Sequence, residues 1–356
     1  MKKSRVLITG NEAMAQGAID AGCQLYAGYP ITPQNEFTAY MARRMPELGR
    51  VFIQAESELA AINMVFGAAA SGARAMTSSS SPGISLKQEG ISYLAGAQLP
   101  AVIVNVMRGG PGLGNISPAQ SDYFQATRGG GHGDYHSIVL APSTVSESYD
   151  CMAKAFDLAD KYRTPVIVLS DGMLGQMMEP IVVQSTEYRV QRSKLRAKPW
   201  ALTGCKGRKP NIIRSLYLAE GVLEKLNLTL QKKYKAIQEK EQRYEGLFLD
   251  DAKIILVAYG TMARITKSVV KRLRDKGKKI GLIHPITLWP FPKKAFTGKP
   301  SSHRRYLVVE MSYGQMLEDV KLAVEGKFPV EFLGRAGGGI PTEEQIINKI
   351  VKLSNC

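Results

Sequence analysis

The sequence has few cysteines and no long hydrophobic run. Its four cysteines, Cys23, Cys151, Cys205 and Cys356, stand far apart and form no CxxC pair. That spacing does not suit a zinc site, an iron–sulfur cluster or a disulfide framework, so we expect the chain to hold no metal. No stretch approaches the roughly 20 apolar residues that a membrane helix needs, and the amino end shows no signal peptide. We therefore expect a cytoplasmic protein without membrane contact.

The motifs of several common enzyme classes are also missing. The chain has no P-loop, no GxGxxG fingerprint, no HExxH pair and no nucleophile elbow. It has only four histidines, and one of them, His132, shares the glycine-rich loop RGGGHGD (128–134) with Asp134. A histidine can transfer protons near neutral pH. Stabilisation of a turn is an equally good interpretation of both residues.

Basic charge is concentrated in the second half of the chain. Residues 1–185 contain 13 Lys and Arg against 15 Asp and Glu, whereas residues 186–356 contain 34 against 16. A basic half suits a nucleic acid, an acidic protein partner or an anionic cofactor. However, the segment RITKSVVKRLRDKGKK (264–279) has a helical period, which favours the solvated face of an amphipathic helix. We therefore expect no nucleic-acid partner.

The pattern of apolar residues predicts an α/β protein with two units. Short apolar runs alternate with helical stretches up to residue 170, which indicates a mainly parallel sheet covered on both faces. A charged stretch with little apolar periodicity follows, and a smaller α/β unit of three or four strands begins near residue 253. The division is therefore 1–185, a basic connector at 186–250, and 251–356. The expected strands of the first unit are 5–8, 25–28, 51–54, 73–78, 101–107, 137–140 and 165–170.

Three polar residues follow different predicted strands. Thr32 lies between two prolines in YPITP (29–33), Glu58 follows strand 51–54, and Arg108 opens the loop RGGPGLG (108–114). Each has a structural explanation: Thr32 as a helix N-cap with Pro33 at the first helical position, Glu58 beside a helix dipole, and Arg108 in a surface turn. Because parallel strands end at one edge of a sheet, all three can also converge there on a ligand.

The order and spacing of these motifs resemble a known family. YPITP, then QAESEL (54–59) running into AAINMVFGAAASGARAMTSSSSPG, then LPAVIVNVMRGGPGLGN, is similar to the alpha subunit of 2-oxoacid:ferredoxin oxidoreductases. The resemblance covers nearly the whole chain. It implies a pyrimidine-binding thiamine diphosphate domain at 1–185 and a transketolase C-terminal-like domain at 251–356. The segments RGGPGLGN and GHGDYH resemble the branched-chain (2-oxoisovalerate) type most.

The resemblance assigns roles to individual residues. Glu58 stands nine residues before Gly67 and matches the cofactor-activating glutamate, whose carboxyl group hydrogen-bonds N1′ of the aminopyrimidine. Thr32 matches a threonine beside the substrate. Arg108 matches an arginine that contacts both the cofactor and the substrate carboxylate, and Pro30 is expected along the pyrimidine.

The family's reaction is the oxidative decarboxylation of a 2-oxoacid to acyl-CoA and CO2, with coenzyme A as co-substrate and ferredoxin as electron acceptor. This chain lacks a GDG-type segment for magnesium diphosphate and a cysteine array for clusters. The resemblance therefore implies that Mg²⁺ and [4Fe-4S] clusters lie on partners: a beta subunit that holds the diphosphate, and gamma and delta subunits, the last carrying clusters. The isolated chain is expected to be inactive.

Other functions also fit parts of the sequence. The nearest is the alpha subunit of a 2-oxoglutarate:ferredoxin oxidoreductase. A subunit of a non-oxidative thiamine enzyme would share the domain order but is expected to have a different loop in place of YPITP. A nucleic-acid-binding protein would explain the basic half and would lose affinity steeply with salt. It would leave the three residues at the strand ends unexplained.

Overall fold

A computed structural model describes residues 3–184, 198–296 and 304–354, so the first part of the predicted connector lies outside the described residues. Its strands are β1 (Lys3–Thr9), β2 (Leu25–Gly28), β3 (Val51–Gln54), β4 (Ala75–Ser79), β5 (Ala101–Met107), β6 (Ile138–Leu140), β7 (Pro165–Asp171), β8 (Met178–Gln184), β9 (Tyr244–Leu247), β10 (Ile254–Val257), β11 (Ile280–Pro285), β12 (Thr287–Trp289), β13 (Arg305–Glu310) and β14 (Val330–Gly334).

The helices alternate with these strands along the chain. They are α1 (Gly10–Asp20), α2 (Asn35–Glu47), α3 (Glu58–Ala70), α4 (Ser81–Gly96), α5 (Tyr123–Thr127), α6 (Val145–Tyr162), α7 (Gly172–Gln176), α8 (Val222–Lys240), α9 (Gly260–Arg274), α10 (Gln315–Val324) and α11 (Glu343–Ser354), with a short 3-10 helix at Lys293–Phe296. None of the helices in the described ranges is both long and apolar enough to span a bilayer.

The larger sheet has seven strands in the order β12-β6-β7-β5-β4-β2-β3. Strands β2 to β7 all run parallel, and β12 joins the edge antiparallel to β6. The central strands β4, β5 and β7 are buried along their whole length. Burial on both faces explains their near-continuous apolar sequences and confirms the predicted parallel sheet.

One predicted strand does not join that sheet. β1 pairs antiparallel with β8 in a separate two-stranded sheet. Its sequence KSRVLIT is too polar for a strand buried on both faces, and Val6 and Leu7 are exposed. The chain then enters α1 at Gly10, whose backbone passes so close to Leu174 that a Cβ there would overlap its carbonyl oxygen.

The smaller sheet has five strands in the order β14-β13-β10-β11-β9, rather than the three or four expected. The extra strand, β9, runs antiparallel to β11 and comes from the predicted connector. In the other direction, β12 follows residue 251 yet pairs with the larger sheet. Because β9 and β12 each pair with the sheet of a predicted unit other than their own, the predicted boundary at 250/251 does not coincide with a boundary between sheets.

The basic stretch near residue 270 forms the amphipathic helix α9, as predicted. Its buried face includes Met262, Thr266, Val269, Val270 and Leu273. Its basic side chains lie on the other face, where four of them form ion pairs: Arg264 with Glu179, Lys267 with Glu245, Arg272 with Glu343 and Arg274 with Asp251. A solvated, ion-paired face therefore accounts for this part of the positive charge.

The two sheets are joined by buried hydrogen bonds. The Gln120 side chain accepts from the Met311 amide at 2.9 Å and donates to the Tyr259 carbonyl at 2.8 Å. Asp171, at the end of β7, accepts from the amide of Thr261 at 3.0 Å and from its hydroxyl at 2.6 Å. Asp171 also accepts from the Leu174 amide at 3.0 Å as the N-cap of α7.

Candidate functional site

The candidate site lies where the order of the larger sheet reverses. The chain passes from β2 to β3 on one side and returns to β4 on the other, so β2 and β4 are neighbours with diverging connections. Open α/β sheets bind ligands at such a switch point, beyond the carboxyl ends of the strands. Thr32 follows β2, Glu58 follows β3, Ser81 follows β4 and Arg108 follows β5.

The loop that carries Thr32 does not cap a helix through that residue. Helix α2 begins at Asn35, with Gln34 at the N-cap position and no side-chain cap. The prediction of Thr32 as N-cap, with Pro33 at the first helical position, is therefore wrong. The Pro33 carbonyl instead accepts from Asn11 Nδ2 at 2.8 Å, and the half-buried Thr32 hydroxyl accepts from Asn35 Nδ2 at 3.3 Å.

A buried network of polar side chains supports this loop from below. Tyr26 Oη lies 2.7 Å from Ser78 Oγ and 2.9 Å from Thr38 Oγ1, and Ser78 Oγ donates to Gln34 Oε1 at 2.6 Å. Burial raises the pKa of Tyr26 to about 12, so its hydroxyl stays neutral. Because all four side chains are buried, they fix the loop between β2 and α2. This network is not predicted by any pattern described in the sequence above.

Glu58 is buried at the start of α3. Ser57 is the N-cap, and its hydroxyl accepts from the Ala60 amide at 3.1 Å, so Glu58 is the first helical residue and complements the helix dipole as expected. Only 5% of Glu58 is exposed, whereas Glu56 is exposed. A Cβ at Gly83, in the first turn of α4, would overlap Glu58 Oε1 and Ser79 Oγ. The glycine therefore leaves the space that this carboxylate occupies.

A buried lysine lies beside the same residue. Lys87 is 0% exposed, and its Nζ donates to the main-chain carbonyl of Glu58 at 3.2 Å. Burial lowers the pKa of Lys87 to about 8, although the negative charge of Glu58 opposes that shift. Lys87 is not among the residues that the sequence predicts for the site.

Arg108 connects the Thr32 loop to its own glycine-rich loop. Its Nη1 donates to the Thr32 carbonyl at 2.9 Å, and its Nη2 donates to the Leu113 carbonyl at 3.1 Å. The side chain is only 7% exposed, and its Nε has no partner within the described part of the chain. Two of the three guanidinium nitrogens of Arg108 therefore hold the two loops. Nε is the nitrogen that can still donate to the predicted substrate carboxylate.

The backbone of Arg108 is fixed by a second network at the start of α4. Ser81 Oγ accepts from the Arg108 amide at 3.0 Å and lies 2.6 Å from Asp122 Oδ2, which also accepts from Asn105 Nδ2 at 2.9 Å. Burial raises the pKa of Asp122. The first turn of α4 therefore contacts both Arg108, through Ser81, and Glu58, through Gly83.

The structure brings some of the predicted residues together and separates others. Thr32 and Arg108 are hydrogen-bonded, and Pro30 is exposed two residues before Thr32. His132 lies elsewhere: its carbonyl accepts from Ser92, eleven residues, or roughly 16 Å of helix, beyond the start of α4. His132 and Asp134 are exposed, and no described contact joins them to the strand-end residues.

Four buried polar atoms of β4, of the residue that follows β5 and of the residue between β4 and α4 are available to a polar ligand. Thr77 Oγ1, Ser79 Oγ, Ser80 Oγ and Arg108 Nε are buried and have no hydrogen-bond partner among the residues that the structure describes. Buried polar atoms are nearly always paired in folded proteins, so an unpaired group at a strand edge points to a missing partner. These polar groups and the Glu58 carboxylate suit a polar heterocycle.

One group of side chains has atoms spaced for a metal ion, away from this site. Ligand atoms of Glu147, Glu245 and His284 lie within 4.8 Å of one another. Lys267 Nζ already donates to both Glu245 oxygens, at 2.8 and 3.0 Å, and so supplies the balancing positive charge. Glu147 follows β6, which lies beyond β7 and β5 from the switch point.

Comparison with known proteins identifies the family. The thiamine diphosphate-binding domain of pyruvate flavodoxin/ferredoxin oxidoreductases matches residues 16–243, and core domain II of pyruvate:ferredoxin oxidoreductases matches residues 252–346. The ketoisovalerate oxidoreductase subunit VorB of Methanothermobacter marburgensis is 50% identical over 98% of this chain and 97% of its own length. The 2-oxoglutarate synthase subunit KorA of the same organism is 38% identical over 97% and 98%.

Solved structures agree with this result. The 2-oxoglutarate:ferredoxin oxidoreductase of Magnetococcus marinus, solved with 2-oxoglutarate, coenzyme A and succinyl-CoA bound, superposes with a TM-score of 0.87 at 27% identity. It covers 99% of this chain, which spans 65% of that longer chain. A split-gene transketolase has a TM-score of 0.59 at 12% identity, over 98% of both chains, and so shares the fold. The chain therefore belongs to the 2-oxoacid:ferredoxin oxidoreductase family, and the resemblance drawn from its motifs is confirmed.

Proposed function

We propose that this chain is the subunit of a 2-oxoacid:ferredoxin oxidoreductase that holds the aminopyrimidine of thiamine diphosphate. The complete enzyme converts a 2-oxoacid and coenzyme A to acyl-CoA and CO2 and passes two electrons to ferredoxin. The single observation that carries the proposal is the buried Glu58 carboxylate at the switch point, in the space that Gly83 leaves for it. Burial of a carboxylate is costly, so a buried carboxylate is nearly always paired with another group.

The residues of this chain take distinct parts in the proposal. Glu58 bonds N1′ of the aminopyrimidine, and Pro30 lies along the ring. Thr32 and Arg108 face the 2-oxoacid, whose carboxylate pairs with the free Nε–H of Arg108. Thiamine diphosphate held by Glu58 and Pro30 would supply a carbon nucleophile for the oxo group and an acceptor for the electrons that decarboxylation leaves. The networks below Thr32 and Arg108 keep these side chains in place without rearrangement.

The proposed site is one half of an active site. The described residues offer several groups for a heterocycle and a carboxylate, whereas the diphosphate and Mg²⁺ are assigned to a beta subunit. We assign [4Fe-4S] clusters to partner subunits, including delta, beside a gamma subunit. Relatives are named as subunits, which supports a hetero-oligomer. We also retain the division into a pyrimidine domain (1–185), a connector (186–250) and a transketolase C-terminal-like domain (251–356) as part of this proposal.

We propose 2-oxoisovalerate, or another branched-chain 2-oxoacid, as the substrate. The support is the higher identity to ketoisovalerate oxidoreductase subunits, 50%, than to 2-oxoglutarate synthase subunits, 38%. A panel of 2-oxoisovalerate, pyruvate, an aryl pyruvate and 2-oxoglutarate, assayed with the reconstituted complex and a reducible acceptor, tests this directly. If kcat/KM were highest with 2-oxoglutarate, the proposed substrate would be wrong, while the proposed reaction type would stand.

The decisive experiment replaces the carboxylate without changing its shape. Glu58→Gln in the reconstituted complex should lower turnover at least about 100-fold, because the amide cannot supply the charge or exchange the proton of a carboxyl group. Glu56→Gln is the matched control: it is an exposed glutamate two residues earlier and should retain wild-type rates. Wild-type turnover by Glu58→Gln would refute the assignment, as would thiamine-dependent turnover by the purified single chain.

A further inference from the structure

A buried lysine occupies the contact between the two helices that form the Glu58 pocket. Gly83, Lys87 and Gly90 follow one another at intervals of four and three residues, so they share one face of α4. That face packs against α3: a Cβ at Gly83 would overlap Glu58, and a Cβ at Gly90 would overlap Ile62. The glycines bring the helices close, and Lys87 fills the place between them.

Lys87 is placed to act on Glu58 in two ways. Its Nζ donates to the Glu58 carbonyl at 3.2 Å, which uses only one of its three N–H groups. It also brings a positive charge next to a residue whose carboxylate is buried. A lysine that is 0% exposed is seldom found in a protein unless it is paired with another group.

The electrostatic environment of Lys87 is simple. Within the described ranges, Glu58 is the charged group that acts on the pKa of Lys87. Its negative charge favours the protonated lysine. The other carboxylate nearby on α4, Glu89, is exposed and bonds the hydroxyl of Tyr93. Because burial lowers the pKa of Lys87 to about 8, its charge is lost within a range of pH that enzymes tolerate.

We propose that Lys87 is the positioning residue of the proposed site, holding the first turn of α3 through the Glu58 carbonyl and balancing the Glu58 carboxylate with its charge. The importance of this pair for catalysis rests on the proposed function of Glu58. The pairing itself does not, because both residues belong to this chain and Lys87 Nζ already contacts the Glu58 carbonyl. The positive charge of Lys87 then makes the pocket sensitive to alkaline pH.

The pairing is tested in the full chain without cofactor. NMR of lysines labelled with 13C at Cε follows each ammonium group from about pH 6 to about pH 11. A resonance with a midpoint near pH 8 should be missing in Lys87→Met and should shift to lower pH in Glu58→Gln, which removes the negative charge. Lys233, whose pKa burial also lowers to about 8, is the control: its resonance, assigned with Lys233→Met, should not respond to Glu58→Gln. An unchanged Lys87 midpoint in Glu58→Gln would overturn the proposal.

The consequence is tested in the reconstituted complex. Lys87→Met should lower kcat at pH 7 by about 10-fold or more, since it removes a hydrogen bond from a charged donor. It should also abolish the fall in kcat that accompanies deprotonation of Lys87 above about pH 8, whereas Lys233→Met should keep the wild-type profile. If the dependence of kcat on pH were identical in wild type and Lys87→Met, the proposed role of Lys87 would be refuted, and the proposed function would stand. A wild-type complex without thiamine-dependent turnover would refute the proposed function, while the NMR result still decides the pairing.

Discussion

At the scale of the residue, a buried lysine makes stability depend on pH. The pKa of Lys87 is about 8 in the folded chain, against 10.5 for an ordinary lysine. Between these values the unfolded chain binds more protons than the folded chain, so the free energy of unfolding rises with pH. The difference corresponds to about 3 kcal/mol across that window.

Urea unfolding of the chain between about pH 7.5 and about pH 10.5 measures this effect. Lys87→Met should lose the part of the pH dependence that Lys87 contributes and retain the part due to Lys233, whose pKa is lowered in the same direction. A pH dependence in Lys87→Met as steep as in wild type would show that Lys87 is not deprotonated on folding.

Single residues also show what the sequence can reveal. Thr32, Glu58 and Arg108 could be found because each follows a strand within four residues, and parallel strands end at one edge. Their roles in the proposed mechanism remain predictions. Lys87 could not be found in this way, because its burial depends on how closely α3 and α4 pack. The only trace in the sequence is its place between Gly83 and Gly90 on one helical face.

At the scale of the element, the contact between α3 and α4 beside Glu58 depends on Gly83. A methyl group at Gly83 would overlap both Glu58 Oε1 and Ser79 Oγ. Gly83→Ala should therefore push α3 away from α4, lower the activity of the complex by about 10-fold or more, and destabilise the chain by about 1–3 kcal/mol.

Gly67→Ala is the matched control for Gly83→Ala. Gly67 lies within α3, and a Cβ there would meet nothing within 4 Å. Alanine at that position should leave activity unchanged and stabilise the helix by up to about 1 kcal/mol. If Gly83→Ala had the activity and stability of wild type, the pocket would accommodate the added methyl group. Gly83 would then not determine the shape of the pocket.

The start of α2 shows why element boundaries are harder to predict than element types. YPITPQNEF carries the local signals of a capped helix, and the helix does form. It begins two residues after Pro33 because Asn11 binds the Pro33 carbonyl and Ser78 binds the Gln34 side chain. Both partners come from distant parts of the chain, so no local pattern contains them. The strands of the parallel sheet could be predicted from local sequence alone, because burial on both faces requires continuous apolar runs.

At the scale of the whole molecule, Asp171 links the two sheets by capping two helices. Its carboxylate accepts from the Leu174 amide at the start of α7, and from the amide and hydroxyl of Thr261 at the start of α9. Helix α9 has no side-chain cap from its own N-cap residue, Tyr259. The smaller sheet and its helix are therefore anchored to the end of β7 by a residue that no local signal connects with α9.

Removal of this carboxylate should weaken the docking of the two units. Asp171→Ala leaves buried donors of Leu174 and Thr261 unpaired, at a cost of about 1–3 kcal/mol each, so we expect the free energy of unfolding to fall by at least about 3 kcal/mol. Hydrogen exchange should speed up at the first turns of both α7 and α9. Thr261→Val removes one of the same bonds, so the double variant should lose less than the sum of the single variants. Additive losses, or faster exchange confined to α7, would show that Asp171 is only a local cap and that the smaller unit is held by other contacts, such as those of Gln120.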